Sequence, residues 1–195
     1  AINTIFFKSN PSKDLHEPLR ILTVGRLTWK KGYEYALKAL SLLKDKQINF
    51  EYHIVGEGNY REAIIYGTHQ LRLAEHIKLK GLLSPEDVKK EMEWADIYIQ
   101  PSIQEGFCNS VLEAQSMGLL CIVTNAEGLP ENVIDGETGW VVQKRSARNM
   151  SDKIRDIITF DISELNQIRN NAVSRVIKQF NIDTQEKTFI NFYQK

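Results

Sequence analysis

The sequence predicts an α/β fold: a doubly wound, mostly parallel sheet of about six strands flanked by helices. Three observations point there. Short apolar runs alternate along the chain with stretches of helical periodicity. The runs are continuously apolar, as strands buried on both faces are, rather than alternating apolar and polar. Glycines and charged residues gather just after the runs, at the strand ends where such sheets bind ligands.

Taken in order, "RILTVGR" (Arg20–Arg26) reads as the first buried strand. Behind it, "KGYEYALKALSLLKDK" clusters Tyr35, Leu37, Ala39, Leu40, Leu42 and Leu43 at helical spacing. "FEYHIVG" (Phe50–Gly56) is the second strand and "YREAIIYGTHQLRLA" the helix after it. "IKLKG" (Ile77–Gly81) is the third. "SPEDVKKEMEWA" opens a helix with Ser84 as N-cap, Pro85 at the first helical position and acids in the first turn. "DIYIQPS" (Asp96–Ser102) is the fourth strand, followed by a helix at Ser110–Met117 that Gly118 terminates. "LCIVTN" (Leu120–Asn125) is the fifth strand. "GWVVQ" (Gly139–Gln143), entered through the "DGETG" turn, is the sixth. Helices are expected at about 147–159, 163–179 and 184–194. The lead-in "KSNPSKDLHEP" (Lys8–Pro18) is the expected boundary of the unit.

Composition narrows the function classes. The 195 residues suffice for one domain with a sizeable core. A 42% hydrophobic and 26% charged content excludes a disordered chain. Basic and acidic residues balance at 25 each, so no overall field draws in nucleic acid or an anionic membrane, and any anion site must be local. Cys108 and Cys121 make no disulfide framework, which fits a reducing compartment. No apolar run approaches the ~18 residues of a membrane span, and no secretory signal is visible. The opening "AINTIFFKSNP" lacks an initiator Met and begins mid-pattern, which predicts a piece of a longer protein.

Candidate chemistry lies at the strand ends. Gly25, Arg26, Lys30, Lys31 and Gly32 follow the first strand; Gly56, Glu57 and Gly58 the second; Gly81, Leu82 and Leu83 the third. Pro101, Ser102, Glu105, Gly106 and Phe107 follow the fourth, and Asn125, Glu127 and Gly128 the fifth. Arg26 and Lys31, beside a helix N-terminus, could neutralise a diphosphate; solvated surface charges are the alternative. Glu113 lies four residues after Asn109, on the same helix face, and could reach a polyol such as ribose. Glu105, in the loop, could meet a sugar hydroxyl. A capped helix with two surface acids is the reading that spacing alone leaves open.

Other chemistries find little support. "VGEGNY" has a Gly-x-Gly pair but no third glycine at dinucleotide spacing, and no Walker loop occurs. His16, His53, His69 and His76 lack metal-ligand spacing, and no Asp-x-Asp pair offers a divalent site. There is no Gly-x-Ser-x-Gly elbow. Cys108 has no histidine close by to act as its base. Trp29, Trp94 and Trp140 are separated and read as core or rim residues.

From roughly Asn3 to Tyr193, the chain resembles the C-terminal domain of GT-B fold retaining glycosyltransferases of family four. The segments "VGRLTWKKG", "HIVGEG", "IKLKGLLSPEDV", "ADIYIQPSIQEGFCNSVLEAQSMG" and "GLPENVIDGETGWVV" agree in order. The resemblance implies a Rossmann-like unit over residues 19–180 that binds a nucleoside-diphosphate sugar. It makes 1–18 a lead-in from an N-terminal domain and 181–195 a crossover helix. It implies that Arg26 and Lys31 hold the donor diphosphate, that Glu113 binds ribose hydroxyls, and that Glu105 stands near the transferred sugar; Arg26, Lys31 and Glu105 are thus the catalytic set. Backbone N–H groups of Gly106, Phe107 and Cys108 would meet the sugar, and those of Asn109 and Ser110 the phosphates. Gly25, Gly56, Gly81 and Leu82 would lie beside the diphosphate and base.

No metal and no other cofactor is expected, and the acceptor, a sugar or lipid-linked sugar, would bind through the N-terminal domain. The role implied is surface polysaccharide or glycoconjugate synthesis in the cytoplasm, with a membrane-peripheral place for the full-length protein left open. One departure is Glu127-Gly128, where family members often have Gly-Gly, leaving open how closely that loop approaches the donor. A GT-B phosphorylase or epimerase, and a nucleotide-binding or interaction module without transferase activity, are the competing readings.

Overall fold

A computed structural model describes residues 1–8, 14–182, 186 and 190. Its six strands are β1 (Leu19–Val24), β2 (Phe50–Val55), β3 (Ile77–Gly81), β4 (Ile97–Gln100), β5 (Leu120–Thr124) and β6 (Trp140–Val142). They form one sheet in the order β3-β2-β1-β4-β5-β6, and every pairing is parallel. A Trp29–Lys31 3-10 turn leads into α1 (Tyr33–Asp45). The other helices are α2 (Arg61–Gln70), α3 (Pro85–Trp94), α4 (Asn109–Ser116), α5 (Leu129–Asn132), α6 (Ala147–Ile158) and α7 (Ile162–Gln179).

The strand pleat explains the continuous apolar runs. Ile21, Ile54, Ile97, Ile99 and Ile122 enter one core with residues of α1 and α6. Their neighbours Leu22, Val55, Tyr98, Cys121 and Val123 enter a second core with residues of α3, α4 and α5. The central strands β4 and β5 are buried along their whole length because both of their faces are covered, whereas the edge strand β3 carries Lys78 and Lys80. Ser84 caps α3 by accepting from the Asp87 N–H at 3.2 Å, and Ser146 caps α6 by accepting from the Asn149 N–H at 3.2 Å.

Two differences from expectation have local causes. The second helix stops at Gln70 instead of running on to Ala74, because Arg72 turns left-handed (φ 54°) and Leu73 N–H folds back to the Thr68 carbonyl. The short helix α5 was not foreseen; four residues are too few for periodicity to register. The helix expected at 184–194 falls, apart from residues 186 and 190, outside the described residues.

The first residues lie against the domain. Ile2 N–H donates to the Phe180 carbonyl at 2.9 Å, and Ile182 N–H donates to the Ile2 carbonyl at 3.0 Å. Ser116 Oγ donates to the Phe7 carbonyl at 2.6 Å. No helix among the described residues is long and apolar enough to cross a membrane.

The strand order reverses between β1 and β4, and loops from the two strands diverge there at the carboxyl ends. At that edge Gly56 has φ 134°, and a Cβ on it would stand 2.0 Å from the Gly25 carbonyl oxygen. Gly56→Ala should therefore lower stability by ~2 kcal/mol or more through strain and overlap. Thermal denaturation should show a midpoint roughly 4–8 °C lower; an unchanged midpoint would contradict this account.

Candidate functional site

The residues after β1 and β4 meet across the switch point. The Tyr98 hydroxyl, buried on β4, sits 3.0 Å from the Val24 carbonyl, 3.0 Å from Gln100 Oε1 and 2.8 Å from Ser110 Oγ. Ser110 Oγ in turn donates to the Val24 carbonyl at 3.0 Å. The first turn of α4 is thus docked onto the end of β1. Its N-cap, Cys108, offers no side-chain cap, so the first N–H groups of α4 have no side-chain acceptor from their cap residue.

A polar chain runs outward from this knot. Gln100 Nε2 donates to Ser102 Oγ at 2.8 Å, and Ser102 Oγ donates to Glu105 Oε2 at 3.0 Å. The same Glu105 oxygen receives Lys31 Nζ at 2.5 Å. The Lys31 and Glu105 side chains are 16% and 15% exposed, shielded enough that solvent screens their attraction weakly. Beside the pair opens a cleft of about 560 Å3 lined by Arg26, Thr28, Trp29, Lys31, Asn59 and Glu105, among others. Arg26 is exposed and has no hydrogen-bonded or ionic side-chain partner among the described residues. It also lines a second cleft of about 330 Å3, with Gly25, Gly56, Leu82, Leu83 and Val88. One cation therefore stands between a polar and a largely apolar recess.

The candidate residues fall into three groups. Arg26, Lys31 and Glu105 line the polar cleft. Gly25, Gly56 and Leu82 line the apolar one, with Gly81 immediately before Leu82. Gly106, Phe107, Cys108, Asn109, Ser110 and Glu113 line neither; they form the loop and first turns of α4 beside the two. Glu113 is half-buried, has no hydrogen-bond or ion-pair partner among the described residues, and burial pushes its carboxyl above the usual range.

One expectation needs correction. The Cys108 N–H, expected to face a sugar, instead donates to Asn132 Oδ1 at 3.1 Å. The Cys108 thiol is buried, 3.3 Å from Ser110 Oγ; burial raises its pKa and keeps it protonated, so it is no nucleophile. The Glu127-Gly128 departure resolves differently. Glu127 (φ 20°) accepts from the Glu105 N–H at 3.0 Å and pairs with Lys144 Nζ at 3.0 Å. The Glu105 N–H bond and Lys144 hold its carboxyl below the usual range. A Cβ on Gly128 would stand 2.3 Å from the Gly106 carbonyl oxygen, so this loop presses directly against Glu105–Phe107.

Sequence reasoning missed Tyr98 and Gln100, hidden within an apolar strand, and Asn132, on the unforeseen α5; Ser102 stood among the strand-end candidates with no role assigned. The Pro130 that follows Gly128 was an available helix-start signal for α5. Trp29 lies at the cleft rim, 52% exposed, while Trp140 is buried and Trp94 stacks on His53. Among the described residues no group of three or more His, Cys, Asp or Glu side chains gathers as a metal site would require.

The all-parallel sheet and its cleft at the switch point define a Rossmann-like α/β domain of the GT-B architecture. The chain belongs to the glycosyl transferases group 1 family, whose model matches residues 4–175. It is 29% identical over 181 residues to the putative colanic acid biosynthesis glycosyltransferase WcaL of Escherichia coli (strain K12), a match covering 90% of this chain and 45% of that protein. The chain spans less than half the length of the curated relatives it matches. Among solved structures, it superposes on the C-terminal domain of a glycosyl transferase group 1 family protein (LpcC) from Francisella tularensis. That likeness has a TM-score of 0.80 and 21% identity, covering 93% of this chain and all of that one. Anabaena HepE, solved in complex with UDP-glucose, matches with a TM-score of 0.87 and 18% identity over 100% of this chain and 56% of that one.

Glu113 combines an unpaired carboxylate with a raised pKa. In the free chain its ionised form is disfavoured, so stability is lost as pH rises through the ordinary carboxylate range and regained as pH falls. Glu113→Gln should therefore raise the thermal midpoint of the ligand-free chain at pH 7. If Glu113 accepts from a ligand hydroxyl, the same change should weaken nucleotide binding about tenfold or more. Parallel thermal scans and nucleotide titrations check both; a lower midpoint with unaltered binding would refute the assignment.

Proposed function

We propose that this chain is the donor-binding domain of a retaining, metal-independent glycosyltransferase. It takes a sugar from a nucleoside-diphosphate sugar and passes it to an acceptor bound by another part of the protein. The observation that carries this reading is the meeting of unpaired Arg26 with the Lys31–Glu105 pair in one cleft at the switch point. The family membership supports transfer chemistry, and the name of the E. coli relative supports a place in surface polysaccharide or glycoconjugate synthesis. The UDP-glucose held by the Anabaena neighbour supports the donor class.

The physics follows from charge development. When the glycosidic bond to the donor breaks, the departing diphosphate gains negative charge. Arg26 and Lys31 attract it more strongly at that point than in the bound substrate, which is what acceleration requires. Lys31 has three donors on one nitrogen, so it can keep Glu105 and still meet a phosphate oxygen. Glu105, held by Ser102 and Lys31, then stands where the sugar leaves. The N–H groups at the start of α4 face the same charge. The apolar recess of Leu82, Leu83 and Val88 suits a nucleobase, and Glu113 suits the ribose hydroxyls between base and diphosphate.

Thermal-shift and ligand-NMR titration with UDP, GDP, ADP and their sugars should reveal one preferred nucleotide. Arg26→Ala should weaken it roughly tenfold to a hundredfold, the worth of hydrogen bonds to a charged group. The 195 residues alone should bind donor and transfer no sugar. Failure of all three nucleotides to bind at millimolar concentration would overturn the reading, and robust transfer by this chain alone would overturn the requirement for a second domain.

A further inference from the structure

The loop Glu105–Cys108 is held from behind by the segment Glu127–Asn132. Glu105 N–H donates to Glu127 Oε2 at 3.0 Å, and Gly128 N–H donates back to the Glu105 carbonyl at 3.1 Å. The Gly128 backbone rests on the Gly106 carbonyl. At the far end the Asn132 carboxamide grips both sides of Cys108, accepting from its N–H at 3.1 Å and donating to its carbonyl at 3.3 Å. Asn132 is fully buried. A two-point grip on one residue fixes the orientation of the peptide planes on either side.

What fixes Asn132 is a residue of α7. Arg175 donates from one nitrogen to the Asn132 carbonyl and from another to the Glu131 carbonyl, each at 2.7 Å. These are terminal carbonyls of α5, which the helix itself leaves without N–H donors. The Arg175 guanidinium also lies over the Phe180 ring at 4.9 Å, and Phe180 meets the Phe107 ring at 5.5 Å. The loop is therefore reached from α7 along two routes, one through Asn132 to Cys108 and one through Phe180 to Phe107.

From this juxtaposition we infer that Arg175 and Asn132 are positioning residues that set the Gly106–Cys108 backbone, so that α7 governs how the site holds the sugar rather than the nucleotide. The inference rests on the donor-binding reading. A merely space-filling role does not explain the guanidinium. Arg175 Nε is buried without a hydrogen-bond partner among the described residues, and burial pulls the group's pKa down. An apolar side chain of similar reach would fill the space without stranding a donor. It could not hold two carbonyls in one plane, which the rigid guanidinium fork does. Arg26, Lys31 and the Leu82 recess lie on other elements, and neither Arg175 nor Asn132 lines the two clefts they form.

The test compares two ligands on the 195-residue chain: whichever of UDP, GDP and ADP binds best, and its hexose conjugate. Arg175→Ala and Asn132→Ala should each shift the ratio of the two affinities about tenfold against the conjugate, with less than about twofold change for the diphosphate alone. Arg175→Lys, which keeps the charge and loses the fork, should shift the ratio in the same direction by a smaller factor, and it serves if the alanine variants do not fold. The Phe107 and Cys108 amide resonances should move in Arg175→Lys without any ligand. An unchanged ratio, equal losses for both ligands, or unmoved amide resonances would overturn the inference. Absence of nucleotide binding by the parent chain would count against the donor reading, and the amide shifts would still decide whether Arg175 sets the loop.

Discussion

The Tyr98 hydroxyl is the constraint on which the rim depends. It is a polar group in a buried position, and a buried hydroxyl without partners is costly. Its environment answers with Val24, Gln100 and Ser110, one from each of the three segments that must meet: the end of β1, the end of β4 and the start of α4. Burial pushes the phenol pKa well up, so it stays a neutral hydroxyl. A second buried chain, Tyr52 to Thr23 at 2.8 Å and Thr23 to the Ile99 carbonyl at 2.6 Å, spans β2, β1 and β4 on the opposite face. Hydroxyl networks on both faces thus lock the register of the central strands where the loops depart.

Charge at the site is arranged in layers of decreasing constraint. Glu105 is the most constrained, fixed by Ser102, by Lys31 and by backbone bonds to Glu127 and Gly128. Lys31 is tethered through that same carboxylate. Arg26 is left unpaired at the junction of the two clefts. The rim thus has one cation oriented by a carboxylate and a second without a side-chain partner among the described residues. Glu113 shows the complementary feature: a carboxylate without a partner among the described residues that burial makes unfavourable when ionised. Destabilised groups of this kind are common where a protein must bind rather than merely fold.

Much of this architecture was legible in the residues. The strands were plain because a sheet covered on both faces demands uninterrupted apolar runs. Arg26, Lys31, Glu105 and Glu113 stood out because they follow strand ends or share a helix face. What sequence could not convey were side chains whose polarity is spent internally. Tyr98 and Gln100 look like ordinary positions of a β4 strand, and their hydrogen bonds reach residues 74 and 2 positions away. Asn132 sits on a helix too short to announce itself. Arg175 lies on a helix that periodicity locates without assigning roles to its polar residues, so nothing local marks it as turned inward against Glu131 and Asn132.

Glu127 and Arg175 fasten the two ends of one strap by different physics. Lys144 and Glu127 are 38% and 52% exposed and meet through opposite charges in water, an attraction that dissolved ions weaken over a Debye length of about 8 Å at physiological strength. Arg175 grips neutral carbonyls from a half-buried position, where mobile ions have little access. Raising ionic strength therefore weakens the Lys144 hold on Glu127 at the Glu105 end while leaving the Cys108 end untouched. The Glu105 end is then left to its hydrogen bonds with Glu127, Gly128 and Ser102 and to Lys31. A glycine at position 127 would remove that salt-dependent latch altogether, since it has no carboxylate to offer.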